Sequence, residues 1–126
     1  MSHFVNVKTS VKDINALRKA CEELGLELLE KATARGFARN ILKGEYVIRL
    51  KGPYDIAVNL DQETGSYGLS TDWYAGHVEK EVGAGYAKLL QLYAVHKTQI
   101  EARKKGLSCR RQLLGDGSVK IMIGGL

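Results

Sequence analysis

The spacing of apolar residues predicts two amphipathic helices. Asp13 can cap the first helix and Gly25 can end it in a left-handed conformation. The apolar positions of this first helix recur every three or four residues: Ile14, Leu17, Cys21 and Leu24. The second helix, predicted over residues 79–105, carries a longer stripe: Val78, Val82, Tyr86, Leu89, Tyr93 and Ile100. Two glycines near its start each cost about 1 kcal/mol relative to alanine, so we expect the regular part to begin near Ala84.

Alternation of polar and apolar residues predicts seven strands around these helices. They are expected at residues 2–9, 26–34, 46–51, 54–60, 67–71, 107–114 and 119–123. Asp116-Gly117 between the last two runs is typical of a β-hairpin turn. Residues 34–40 show no period, because a glycine and two arginines interrupt it, and we expect a loop or an irregular edge there.

The elements follow the order β-α-β-β-β-β-α-β-β, which predicts the fold class. Successive strands joined by short turns imply an antiparallel sheet. Two amphipathic helices bury their stripes most simply by packing on one face of that sheet. We therefore predict the α+β class, as a two-layer sandwich of a mostly antiparallel sheet with two helices on one face. Its 126 residues and 13.9 kDa fit a single domain over residues 1–126.

Composition places the chain among ordinary globular proteins. It is 44% hydrophobic and 26% charged, which argues against disorder. Its start has no basic head before an apolar run, and no apolar stretch approaches the roughly 20 residues of a membrane helix. We expect a cytoplasmic protein, or a stromal one if plastid-encoded, with no membrane partner. Cys21 and Cys109 form no CxxC pair and the three histidines show no metal spacing, so we expect no disulfide, metal or cofactor.

The segment between the predicted meander and the second helix holds the most suggestive cluster of side chains. Asp72 and His77 could form an acid/base pair beside a stacking wall of Trp73 and Tyr74. The favoured interpretation is structural: Trp73 closes the core, and Asp72 or His77 binds nearby backbone. The sequence contains no P-loop, GxSxG or HExxH motif, so no catalytic residue is assigned. Enzymatic activity is left undecided, with a non-enzymatic role favoured.

Two basic regions offer further binding surfaces. Arg35 and Arg39 flank Phe37 in the irregular segment and could hold a phosphate or an acidic peptide, although a solvated loop is the favoured interpretation. The second region would form one patch if the last hairpin folds beside the helix end: Arg103, Lys104, Lys105, Arg110 and Arg111. A net charge of +5 favours an acidic partner only weakly. Because no RNA-recognition or helix-turn-helix pattern accompanies these residues, nucleic-acid binding is disfavoured.

Several short segments, taken in order, resemble the hypothetical chloroplast reading frame thirty-five family. They are residues 1–4, 12–13, 35–37, 54–58, 72–74, 93–94 and 116–119. Members of that family occur in cyanobacteria, some plastids, other bacteria and phages. This chain differs at Tyr74, where a second tryptophan is common, and at Arg110-Arg111. The family is a domain of unknown function, so the resemblance implies a fold and a compartment but no reaction.

Three functions are compatible with these patterns. We favour an accessory or adaptor module that binds another protein, because it needs no unrecognised chemistry. The surface expected for a partner or ligand comprises Asp72, Trp73, Tyr74, His77, Arg35 and Phe37. The alternatives are a small-molecule or nucleotide binder or enzyme that uses the Asp72–His77 loop, and a nucleic-acid binder that uses the basic patches.

Overall fold

A computed structural model describes residues 3–125, and its elements follow the predicted order. Ser2, in the first predicted strand, and Met1, in the first family segment, lie outside these residues. The bounds are β1 (Val5–Lys8), α1 (Ile14–Glu23), β2 (Glu27–Arg35), β3 (Ile41–Arg49), β4 (Ile56–Asp61), β5 (Ser66–Thr71), α2 (Glu79–Val82), α3 (Ala87–Lys104), β6 (Ser108–Leu113) and β7 (Val119–Gly124). No helix within residues 3–125 is long and apolar enough to cross a membrane.

Five strands form an open antiparallel sheet in the order β1-β5-β4-β3-β2. The register aligns Leu69 with Val58 and Ile56 with Ile48, so apolar side chains run across the sheet on one face. These residues are fully buried against α1 and α3 in the main core. The predicted α+β class is therefore confirmed.

Helix α1 begins and ends where its sequence predicts. The Asp13 side chain accepts a hydrogen bond from the Ala16 backbone N–H at 3.1 Å, which satisfies one of the free donors at the helix start. Gly25 follows the helix with a φ of +74°. The buried face of α1 consists of Ala16, Leu17, Ala20 and Cys21. Cys21 is thus a packing residue, and both cysteines are free thiols.

The prediction of one continuous helix over residues 79–105 is wrong. The helical segment α2 ends at Val82, and α3 begins only at Ala87. Between them Gly83 has φ +86° and ψ 162°, a backbone conformation essentially restricted to glycine, and Tyr86 is left-handed at φ +67°. The apolar stripe nevertheless faces the core across this break, since Val82, Tyr86 and Leu89 are all fully buried.

The β2–β3 hairpin bends over the second face of the sheet. The expected loop at residues 34–40 is a shorter turn, and β3 starts at Ile41 rather than near residue 46. Gly44 lies at the bend, where a Cβ would collide with the Tyr46 carbonyl oxygen. Beyond the bend a second small core forms, with Ala34, Val47 and Ala57 fully buried. The tip of the hairpin thereby reaches the residue before β4: the Asp55 N–H donates to the Arg35 carbonyl at 2.9 Å.

Strands β6 and β7 form the predicted final hairpin as a separate two-stranded sheet. A bidentate ion pair joins it to the end of α1: both Arg111 Nη atoms donate to Glu23, at 2.9 and 3.0 Å. His96 of α3 lies 2.8 Å from the same carboxylate. These contacts fix the hairpin against the two helices.

Candidate functional site

Two buried aspartates lie side by side under the tip of the β2–β3 hairpin. Asp55 comes directly before Ile56 and Asp72 directly after Thr71, and Ile56 and Thr71 are partners in the β4–β5 register. Both aspartates are fully buried. Since buried carboxylates require donors, their hydrogen bonds decide what they can do chemically.

Asp55 is saturated with donors from Arg35 at the hairpin tip and from Leu50, the residue after β3. Its Oδ2 accepts from the Arg35 backbone N–H at 3.0 Å and from Arg35 Nε at 2.8 Å. Its Oδ1 accepts from Arg35 Nη2 at 2.8 Å and from the Leu50 N–H at 3.1 Å. Burial alone would raise the pKa of Asp55, but the hydrogen bonds from Arg35 and Leu50 together hold that pKa below its usual value. Asp55 is therefore a charged anchor for the hairpin.

Asp72 binds backbone on both sides of the site. Its Oδ2 accepts from the Phe37 N–H at 3.1 Å and its Oδ1 from the Tyr74 N–H at 3.0 Å. Among residues 3–125 no hydrogen bond joins Asp72 to His77, whose ring instead packs edge-on against Tyr54 at 5.3 Å. Asp72 thus ties the hairpin tip to the loop after β5.

The two loops tied by Asp72 present one exposed aromatic pair. The rings of Phe37 and Tyr74 lie 4.7 Å apart at 67°, an edge-to-face arrangement. These side chains are 37% and 49% exposed. The residue after each aromatic, Ala38 and Ala75, has a positive φ of 58° and 59°, a conformation that costs a non-glycine residue about 1 kcal/mol or more.

Trp73 points away from this pair and into the main core. Its ring lies 4.8 Å from that of Tyr86 and packs against the cluster beneath α3. The sequence-predicted surface residues therefore divide: Arg35, Phe37 and Tyr74 are exposed, Asp72 is buried beneath them, and Trp73 belongs to the core side.

Asp55 and Arg49 are site residues that the sequence reasoning did not select. The sequence does contain a signal for Asp55, which is a lone aspartate between two apolar strands. A carboxylate at such a position is buried and therefore needs a paired cation or hydrogen-bond donors. Arg49 Nε lies 3.5 Å from Asp55 Oδ2. The alternation of β3 had placed Arg49 on the polar face, and it gave no indication that a buried carboxylate lies beside it.

The second basic region is divided between structural and exposed side chains. Arg111 forms the ion pair with Glu23, and Lys104 forms one with Glu101, with its Nζ 3.6 Å from Oε1. Arg103, Lys105 and Arg110 are exposed, and within the described part of the chain none of them forms an ion pair. Residues 3–125 also contain no group of three or more histidine, cysteine or acidic residues placed to hold a metal ion.

Comparison with known proteins gives a single family assignment. A family model described as "Protein of unknown function (DUF1257)" matches residues 20–122. No curated protein and no solved structure matches the chain. The match runs from the last turn of α1 into β7, and it agrees with the resemblance to a domain of unknown function found in the sequence.

Proposed function

Since the chain belongs to the DUF1257 family of proteins of unknown function, its role has to be inferred from its own surface, and we propose that it is a non-enzymatic module that binds another protein through Phe37 and Tyr74. The observation that carries this proposal is the edge-to-face contact of these two exposed rings at 4.7 Å. They come from loops far apart in the sequence and are held together from below by Asp72.

The fixed conformation of the Phe37–Tyr74 pair favours binding. An exposed aromatic that is already fixed loses little side-chain entropy when a partner covers it. Aromatic residues and arginine are enriched among the residues that dominate binding energy at protein interfaces. The Arg35 side chain, 45% exposed, lies two residues before Phe37 and is itself fixed on Asp55. Two left-handed alanines next to the aromatics fit a surface whose shape is maintained at a cost in stability.

The hydrogen bonding and burial of the Asp55 and Asp72 carboxylates favour binding over catalysis. A general base needs an oxygen within reach of the proton that it removes. Every Asp55 and Asp72 oxygen already accepts a hydrogen bond from the protein, and both side chains are fully buried. The acid/base pair of Asp72 and His77 therefore receives no support from this arrangement.

A pull-down with matched variants tests the proposal. Tagged full-length protein is incubated with native lysate, nuclease-treated and untreated, and recovered proteins are quantified by mass spectrometry. Phe37→Ala and Tyr74→Ala should each reduce recovery of one specific protein about tenfold, as expected for interface hot spots. Leu60→Ala is the control, because Leu60 is 38% exposed, like Phe37 at 37%, and lies opposite Tyr67 towards the end of β4 that is remote from Asp55.

Thermal midpoints of all variants separate lost binding from lost folding. If both aromatic variants fold and retain every partner, the proposed surface is wrong. Recovery that disappears with nuclease treatment would instead point to nucleic acid.

A further inference from the structure

The β6–β7 hairpin turns an apolar side towards the helices but contributes no residue to the buried cores. Alternate residues of a strand and their cross-strand partners share a face, so Leu113, Val119 and Arg111 lie on one side of the hairpin. That side faces the helices, because Arg111 pairs with Glu23 at the end of α1. In the described part of the chain, however, neither core cluster contains a hairpin residue, and Leu113 is 75% exposed.

A cleft of about 470 Å³, the hairpin cleft, lies between this side of the hairpin and the helices. Four apolar side chains form its walls, two from the helical side and two from the hairpin: Leu24, Leu92, Leu113 and Val119. Small-molecule sites in proteins are typically cavities of about 300–1,000 Å³ lined mainly by apolar side chains. The hairpin cleft has this size and lining, and a ligand that enters it buries apolar surface against both walls.

The charged side chains around the hairpin cleft offset one another. Glu23 and Arg111 line it and are bound to each other at 2.9 and 3.0 Å. The rim continues into an open depression of about 710 Å³, which carries two cations and two carboxylates: Glu79, Lys80, Lys88 and Asp116. A charged ligand therefore gains no net attraction from the lining, and it loses hydration between the apolar walls. The balance of charge favours a neutral ligand.

Two groups at the rim of the cleft can bind a hydroxyl group. Gln91 Nε2 donates to the Gly117 carbonyl oxygen at 3.4 Å, longer than the range of about 2.7–3.2 Å for such bonds. Both residues line the hairpin cleft. A hydroxyl group donates and accepts at once, so it can donate to the Gly117 carbonyl and accept from the Gln91 amide.

We propose that the hairpin cleft is a binding site for a small neutral molecule with an apolar body and a hydroxyl group, as in an aliphatic alcohol. The body lies between the leucine and valine side chains, and the hydroxyl group lies at Gln91 and Gly117. The site shares no residue with the Phe37–Tyr74 surface, so it is independent of the proposed function.

Two probes of equal chain length test the proposal. 1-Octanol and octanoate are titrated separately into full-length protein at neutral pH and physiological salt, which screens the net charge of the protein. Binding is followed by ¹H–¹³C NMR of the methyl groups. 1-Octanol should shift, in a saturable manner, the methyl signals of the four wall residues: Leu24, Leu92, Leu113 and Val119. Octanoate should bind about tenfold more weakly, because its carboxylate must lose hydration.

A substitution that fills the cleft shows where the alcohol binds. Val119→Phe places a larger side chain in the wall and should abolish the saturable shifts. Val5→Phe is the matched control, since it makes the same change at a 43% exposed position on β1 and should leave binding unchanged. Thermal midpoints report whether both variants fold. Leu113→Ala, at a 75% exposed position, keeps the test open if Val119→Phe does not fold, and should weaken binding about fivefold.

Several results would overturn the proposal. They are the absence of saturable shifts at the wall residues, octanoate binding as tight as that of 1-octanol, and 1-octanol binding that survives in a folded Val119→Phe variant or is unaffected by Leu113→Ala. Shifts of the same methyl signals that follow protein concentration rather than 1-octanol would show that a second copy of the chain occupies the cleft, which also contradicts it.

Discussion

Trp73 and Tyr74 are adjacent in the sequence but lie in opposite environments. Tyr74 is 49% exposed and its ring contacts Phe37, whereas the ring of Trp73 packs against the buried Tyr86. The sequence identifies both as candidate surface residues, because aromatic residues at the end of a strand can either pack in the core or form a binding surface. Only the loop conformation after Thr71, where Asp72 binds the Tyr74 N–H, determines which ring turns inward.

Replacement of each aromatic by alanine should show this difference in stability. Trp73→Ala leaves a cavity beside Tyr86 and should reduce the free energy of unfolding by about 3 kcal/mol. Tyr74→Ala removes a half-exposed ring and should cost less than about 1 kcal/mol. Urea titration followed by circular dichroism gives both values. Equal losses for the two variants would show that Tyr74 is also a packing residue.

At the level of elements, local sequence signals predicted the order of the helices and strands. They failed where packing between distant parts of the chain determines the backbone conformation. Helix α1 was predictable from its cap and its stop because both act within a few residues. The two glycines placed the start of the regular helix near Ala84, close to the observed Ala87. The complete break was not predicted, since the apolar spacing continues through Val82, Tyr86 and Leu89 on either side of it. The early start of β3 was missed because Gly44, at the bend, interrupts the alternation.

Two glycines at the break before α3 should respond very differently to alanine. At Gly83, φ is +86° and a Cβ would lie 2.8 Å from the Lys88 backbone nitrogen, so strain and collision add. We expect Gly83→Ala to cost about 3 kcal/mol. At Gly85, φ is +58° and a Cβ meets nothing within 4 Å, so Gly85→Ala should cost about 1 kcal/mol. Thermal unfolding compares them, and similar losses would mean that the break is not held by Gly83.

At the scale of the whole molecule, the site forms because separate parts of the chain converge. The bond from the Phe37 N–H to Asp72 spans 35 positions, and that between Arg35 and Asp55 spans 20. Residues of both loops were assigned to one expected surface from their residue types alone. The contact itself was not predictable, since nothing in either pattern indicates that β2 and β3 fold back over the sheet. The family resemblance, in contrast, is visible in the sequence alone, because it depends only on the order of short segments.

The buried Asp55 anchor predicts that the molecule unfolds in acid. Its folded-state pKa lies below the ordinary value of 3.8, so the unfolded chain binds the proton more readily. The stabilisation is therefore complete above that ordinary value and is lost as the pH falls through the folded-state pKa. Thermal midpoints measured at a series of pH values should stay level from neutral down to about 5 and then decline steeply below about 4.

Two variants distinguish Asp55 from the general effect of protonating carboxylates. Asp55→Asn removes the buried carboxylate charge that pairs with Arg35 and Arg49 and should cost about 3 kcal/mol at neutral pH. It should also flatten the acid decline, because its side chain has no proton to take up. Glu63→Gln, in the exposed turn after β4, should retain the wild-type profile. A wild-type midpoint that stays level well below pH 3.8, or an Asp55→Asn profile as steep as wild type, would mean that this ion pair does not hold the hairpin over the sheet.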